Sequence, residues 1–362
     1  MVDVTDQTTA VTTAVGNSAA FSVEGGDMDV RANQTLDADV RANTLPTVTG
    51  SAGASTVLNT SATGNTSDGA VSGGVHTGVY NQRVMAGRTI YAHTHVEGPN
   101  AHFGDVSSSV QAIGNSQGIR GGSAAAGVRV NQTNDALVNS DGGGYLGTVT
   151  GTSTFSAASV ANNVSLSGEN AAQRAIIQQS NTAAVTQAAH FTAYGNAYIS
   201  STQASSTGNN IVAAQDGPIV DVTSQQQNLA YVRAQAVNSA AEFGAGSAAA
   251  YGVGNSLSAG NAGTSVVIDS DQFNDVGGVE AIAGFTGTAG YDGSSSAAAV
   301  GNAATGYACA ECSGQMQVSN RQVNNAQVGS TSTASVTSGR SINGVATAVG
   351  NTASYYVSLP NR

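Results

Sequence analysis

Around seven glutamines the chain alternates in a way that fixes two faces. The stretches are NQTLDADV at Asn33, NQRVMAGR at Asn81, NQTNDALV at Asn131, QQSNTAAV at Gln178, QQQNLAYV at Gln225, DQFNDVGG at Asp271 and RQVNNAQV at Arg321. Their central residues are Gln34, Gln82, Gln132, Gln179, Gln226, Gln272 and Gln322. Two residues on stands Asn134, Asn181, Asn228, Asn274 or Asn324, with Leu36 and Val84 in the first two copies. Four on it is Ala in every copy but Val276, and six on Val40, Val138, Val185, Val232 or Val328 recurs, with Arg88 and Gly278 as exceptions. A constant set at every second position is the period of a β-strand. The arginines orient it: Arg31, Arg41, Arg83, Arg129, Arg174, Arg233 and Arg321 all stand at odd offsets from a motif glutamine, Arg88 alone at an even one. Charged groups seek water, so the Gln-Asn-Ala-Val face is predicted to point inward.

A second motif sets the period. A Gly-Asn pair places its Asn at Asn17, Asn65, Asn115, Asn209, Asn255, Asn302 and Asn351, and Ala161-Asn162 fills the one gap. The steps are 48, 50, 47, 47, 46, 47 and 49 residues, and the residue before the pair is β-branched in all eight copies. The first six motif glutamines follow their Gly-Asn by 17 residues and the seventh by 20. Repetition on this scale is the mark of a stacked architecture. The Gly-Asn pair reads as a corner between strands, where glycine supplies a left-handed or otherwise strained conformation; a simple hairpin turn is the alternative.

Inward amides need partners, and in-register stacking supplies them: each Gln or Asn bonds the same amide one layer away. An unpaired buried amide would cost about 1–3 kcal/mol. The chain is therefore predicted to be all-β, a β-solenoid of about seven and a half repeats, with residues 12–356 as one repetitive domain between an N-terminal segment (1–11) and a C-terminal tail (357–362). Two motifs per repeat favour two coils of roughly 24 residues, one wide coil being the alternative. The structural ladders are then the eight Asn and seven Gln residues of the two motifs.

Composition narrows the interior. There is no Trp, only 7 Phe and 4 Met, and charged residues make up 9%. A thin core filled by Ala and Val follows. The net charge of −11 argues against nucleic acid as a partner, and all 11 cations are Arg. No apolar run reaches the length of a membrane-spanning helix, and the start, MVDVTDQTT, has neither the basic nor the apolar region of a signal peptide. The expectation is the mature form of an exported, extracellular protein.

Candidate chemistry is sparse. Cys309 and Cys312 in ACAEC are read first as a local disulfide, with free thiols or a redox or metal role as alternatives. His93, His95 and His102 suggest a metal cluster, but they occur in one repeat only, and an exposed His pair is the better reading. Asp269, Asp271 and Asp275 match no calcium-loop spacing, and Asp141 in SDGGG reads as a turn. No hydrolase, P-loop or zinc-protease motif is present, and neither an enzyme nor a cofactor is expected. The seven odd-offset arginines could line up as a stripe for an anionic polymer.

The half-unit of a strand with inward Gln and Asn, a turn and a second strand resembles the curli-type repeat of bacterial surface fibres, although the curli spacing of Ser, Gln, Gly, Asn and Gln is not met. With its alternating GN and NQ motifs and its lack of Lys, the whole chain looks more like the HfaD-type holdfast-anchor proteins of stalked bacteria. That resemblance implies a non-catalytic cell-surface protein, an adhesin or anchor linking adhesive polysaccharide to the envelope. Its partners would be copies of itself joined end to end and other surface or outer-membrane anchor proteins. A polysaccharide-binding solenoid that does not polymerise is the alternative, and a polysaccharide-cleaving β-helix a remote one.

Overall fold

The computed structural model describes residues 4–309 and 314–358. Sixteen strands follow one another: β1 (Gln7–Glu24), β2 (Met28–Leu36), β3 (Val40–Thr44), β4 (Ser55–Val84), β5 (Thr89–Phe103), β6 (Asp105–Asn134), β7 (Leu137–Glu169), β8 (Gln173–Asn181), β9 (Val185–Asp216), β10 (Ile219–Asn228), β11 (Tyr231–Asn261), β12 (Ser265–Asn274), β13 (Val279–Ala308), β14 (Gln315–Asn324), β15 (Val328–Ser338) and β16 (Ser341–Val357). Among the described residues there is no helix. Every strand pairing is parallel: Asn17 lies beside Asn65, Asn65 beside Asn115 and Gln226 beside Gln272. A parallel stack in which each residue meets its own counterpart one repeat later is a β-solenoid.

The coil is wide, not two small ones per repeat. Pairing runs from Gln7 to Ser55 and from Val232 to Val279, a full repeat away, and the Gly-Asn and glutamine motifs sit on opposite walls of one coil. The reason is chemical. Coils of 24 residues would lay Asn over Gln, whose amides differ in reach by one methylene, whereas the full repeat lays like over like. Seven inter-coil steps of about 4.8 Å make the stack about 34 Å long. It also takes in Gln7–Val11 and Val357, which the motif spacing assigns to terminal segments.

Each coil has three arms. The first carries Gly-Asn at its middle (β1, and its equivalents within β4, β6, β7, β9, β11 and β13, and β16). The second carries the motif glutamine, as in β2, β8, β10, β12 and β14. The third returns along the opposite wall, as in β3, β5 and β15. After Gly-Asn the first arm packs on the glutamine arm through Val71, Ile119, Val164, Ile177, Val222 and Ile268. Before Gly-Asn it packs on the third arm through Leu58, Phe103, Phe155, Tyr194, Phe243 and Phe285.

At Gly-Asn the alternation changes phase: Gly64 and Asn65 are both buried, so the chain turns a corner while the ladder continues. The expected left-handed conformation is absent, since none of these glycines has positive φ. Glycine is needed there for room. A Cβ on Gly64 would stand 2.5 Å from the Gly114 carbonyl oxygen and 3.1 Å from Val84, and one on Gly208 would stand 2.5 Å from Asn228 Oδ1. Where the third arm begins, the two-residue alternation slips by one residue in two copies, at Val185 and at Gly278, where Val279 takes the place of Val232. Val185 pairs with Tyr231 and is half-exposed, whereas Val232, at the same offset from its glutamine, is buried.

Candidate functional site

The interior is built on amide ladders. Asn17 Nδ2 donates to Asn65 Oδ1 at 2.8 Å, and the same bond continues through Asn115, Asn162, Asn209, Asn255 and Asn302 to Asn351, at 2.7–2.8 Å. The glutamines run the other way: Gln82 Nε2 donates to Gln34 Oε1, and so on through Gln132, Gln179, Gln226 and Gln272 to Gln322, at 2.7–2.9 Å. Each amide spends its second N–H across the core. Asn65 donates to the carbonyl of Arg83 at 2.9 Å, beside Gln82, and Gln82 donates to that of Ser116 at 2.9 Å, beside Asn115. The two walls are thus cross-tied one coil out of step. A third ladder joins Asn134, Asn181, Asn228, Asn274 and Asn324 at 2.6–3.1 Å. It begins only at the third coil, because Val84 lies below it, and Asn134 Oδ1 is left buried without a partner.

The arginines face outward as expected, but they form no stripe. Arg31 and Arg129 share one column two coils apart, while Arg41, Arg83, Arg174, Arg233 and Arg321 fall in four others. Five are matched to acids: Arg41 with Asp39 at 3.2 Å, Arg83 with Asp135 at 2.8 Å, Arg174 with Asp221 at 2.7 Å, Arg233 with Glu280 at 3.3 Å and Arg321 with Asp271 at 3.6 Å. Repeat lengths that vary by a few residues and three distinct arms scatter positions that share only their parity.

His93 and His95 share the outer face of β5, their rings stacked with centroids 6.4 Å apart between Tyr91 and Tyr145. His93 Nδ1 lies 3.4 Å from Asp141 Oδ2 and His95 Nε2 3.2 Å from Glu97. His102 lies beyond a register shift in the same strand. No group of metal-binding side chains forms among the described residues. Asp141 is not in a turn but inside β7, where the glycines after it make way for neighbouring side chains, His190 above Gly142 and Leu146 beside Gly144. There Asp141 also accepts a bond from Tyr91 at 3.3 Å, and burial, then this carboxylate, pushes the phenol up to about 12. Asp275 caps its own turn, accepting from the Val276 amide at 2.9 Å. Cys309 is half-buried, and its suggested pairing falls on Cys312, outside the described residues.

Three features escaped the motif reading. His76 and Tyr80 form a buried pair at 2.7 Å. His190 is wholly buried against Phe155 with both ring nitrogens unpartnered, and burial pulls its pKa down to about 3. On the outer side of the third arm, a cavity of about 560 Å³ opens between Tyr198 and Tyr291. All are confined to one, two or three coils, so no eight-fold motif announces them; the sequence signal is that Tyr198 and Tyr291 stand two repeats apart.

No helix among the described residues is long and apolar enough to cross a membrane. No curated protein and no solved structure matches the chain. The model of one family, described as holdfast attachment protein D, matches residues 2–278, well over half the sequence, with six of the Gly-Asn arms and six of the glutamine arms. The chain belongs to the holdfast attachment protein D (HfaD) family.

Proposed function

We propose that this protein is a non-catalytic cell-surface component that fastens adhesive polysaccharide to the bacterial envelope. The family assignment supports the role. The observation that carries the mechanical part is the pair of unbroken ladders, asparagine through all eight coils and glutamine through seven, with opposite polarity and mutual cross-ties. Such a rod cannot bend or slip by one residue without leaving several buried amides unpaired, each at about 1–3 kcal/mol. It holds what it binds at a fixed distance under shear. The test is a strain lacking the chain: it should shed its adhesive polysaccharide into the medium and recover retention when the chain is restored. Undiminished retention under flow would refute the reading.

A second part of the proposal is end-to-end association. In the Asn ladder every donor points toward the C-terminal coil, so Asn351 presents Nδ2 and Asn17 presents Oδ1 at opposite ends. A second copy's β1 laid on β16 continues that ladder. Among the described residues the glutamine column ends at β14, whose outer edge can take an extended segment of another surface protein by main-chain pairing. Electron micrographs at high concentration should show linear stacks, shortened by Asn351→Asp; single particles alone would refute this part.

A further inference from the structure

We propose that Tyr198 and Tyr291 form a stacking slot for a neutral polysaccharide on the outer side of the third arm. Ala197 and Ile199 pair with Phe243 and Ala245, which pair in turn with Gly290 and Asp292. Tyr198, Gly244 and Tyr291 therefore occupy one column on three successive coils. Both tyrosines are strongly exposed, 64% and 62%. Over Tyr291, in the coil above, lies Arg340, its guanidinium carbon 5.7 Å from the ring centroid. Arg340 is anchored by its amide donating to the Tyr291 carbonyl at 2.8 Å and by Nε donating to Asp292 Oδ1 at 3.0 Å. Arg340 thus covers one face of the Tyr291 ring, from the coil on the side away from Tyr198.

Between the two rings the column holds glycine. A Cβ at Gly244 would run into the Tyr198 carbonyl and stand 3.3 Å from Cδ2 of the Tyr198 ring, which leans over the glycine, so the missing side chain gives that ring room and leaves the surface beside it open. The resulting cavity has a floor of buried Ala197 and Phe243, with Asn196 and Glu242 at its rim. Two aromatic faces around an apolar floor with a few polar groups is the chemistry that receives a sugar ring: the C–H face packs on the phenol, and hydroxyls bond the amide and carboxylate. Glu242 is the one charged side chain lining the cavity, and the nearby Arg340 is neutralised by Asp292. Acidic sugars are disfavoured, which separates this slot from an anionic-polymer stripe of arginines.

The choice of a polysaccharide as ligand rests on the attachment role proposed above; the slot itself rests on the column geometry. Cellohexaose and chitohexaose are the probes, titrated into the full chain by calorimetry, with polygalacturonate alongside. At least one oligosaccharide should bind saturably, Tyr198→Ala or Tyr291→Ala should each weaken it about tenfold or more, or about 1.4 kcal/mol, and Tyr→Phe at both should keep most of the affinity. Unchanged melting would show that these exposed substitutions leave the rod intact. Absence of saturable binding, equal affinity in the double alanine variant, or binding of polygalacturonate alone overturns the slot. If the double variant restores polysaccharide retention to cells lacking the chain, the slot falls and the attachment role stands. If the unaltered chain fails to restore it, the attachment role itself falls.

Discussion

The two halves of each coil hold together by different means. Where the Gly-Asn and glutamine arms face one another, the interior is a column of identical amides bonded to their own copies. Where the third arm faces the start of the first, it is filled by Phe103, Phe155, Tyr194, Phe243 and Phe285, none of which recurs at its own position in the next coil, with glycines left open for them: Phe285 sits over Gly246 and Phe243 over Gly287. An amide ladder requires the same residue in every coil, because a neighbour of different reach leaves a donor and an acceptor unpaired. An apolar core requires only that volume be filled. The first half therefore repeats in sequence and the second drifts. The pairings that break register, between Gly98 and His102 and between Val149 and Thr152, both lie at the third arm. So do the stacked His93 and His95 and the tyrosine slot.

Substitutions on either side separate the two mechanisms. The largest effect expected is from Phe285→Ala, a fully buried ring whose loss should cost about 3–5 kcal/mol in urea unfolding. Phe285→Leu should recover most of that, because the site asks for volume; no recovery would mean that ring geometry matters there as identity does in the ladders. Gln226→Leu should cost about 2–4 kcal/mol, since it strands Gln179 Oε1 and Gln272 Nε2 in adjacent coils. Gln226→Asn, chemically the conservative change, should be nearly as harmful because its amide falls short of both. Hydrogen exchange should show the damage in three consecutive coils, and a loss confined to one would count against the ladder account.

The smallest effect is conditional on pH. His190 is neutral when folded, its pKa pulled down to about 3 by burial. In the unfolded chain it titrates near 6.5. Below that value the unfolded state takes up a proton that the folded state refuses, so its contribution to stability is complete above about pH 6.5 and declines as pH falls toward 3. The slope is up to roughly 1.4 kcal/mol per pH unit. His190→Leu should flatten this part of the stability–pH curve; an unchanged slope would place the effect elsewhere.

Much of this was legible in the chain because a solenoid's contact map is its own period. The inward glutamines and asparagines follow from parity and repetition alone, as does the outward direction of Arg83 and Arg174. Parity says which wall a side chain leaves, but not which column it shares. The arginine stripe fails for that reason: five of the seven guanidinium groups sit near acids whose sequence distance varies, two residues for Arg41 and Asp39, 52 for Arg83 and Asp135. Asp141 reads as a turn from its glycines, yet those glycines serve the side chains of other strands.

The sequence by itself determined that strands stack in register, which residues point in, and that amides pair with their own copies, since all three are properties of a repeat. The width of the coil, the role of the Gly-Asn glycine, the partners of the arginines and the slot between Tyr198 and Tyr291 were decided only in three dimensions. Those depend on what lies across the core or one coil away in a non-repeating arm. One-dimensional periodicity carries no information about either.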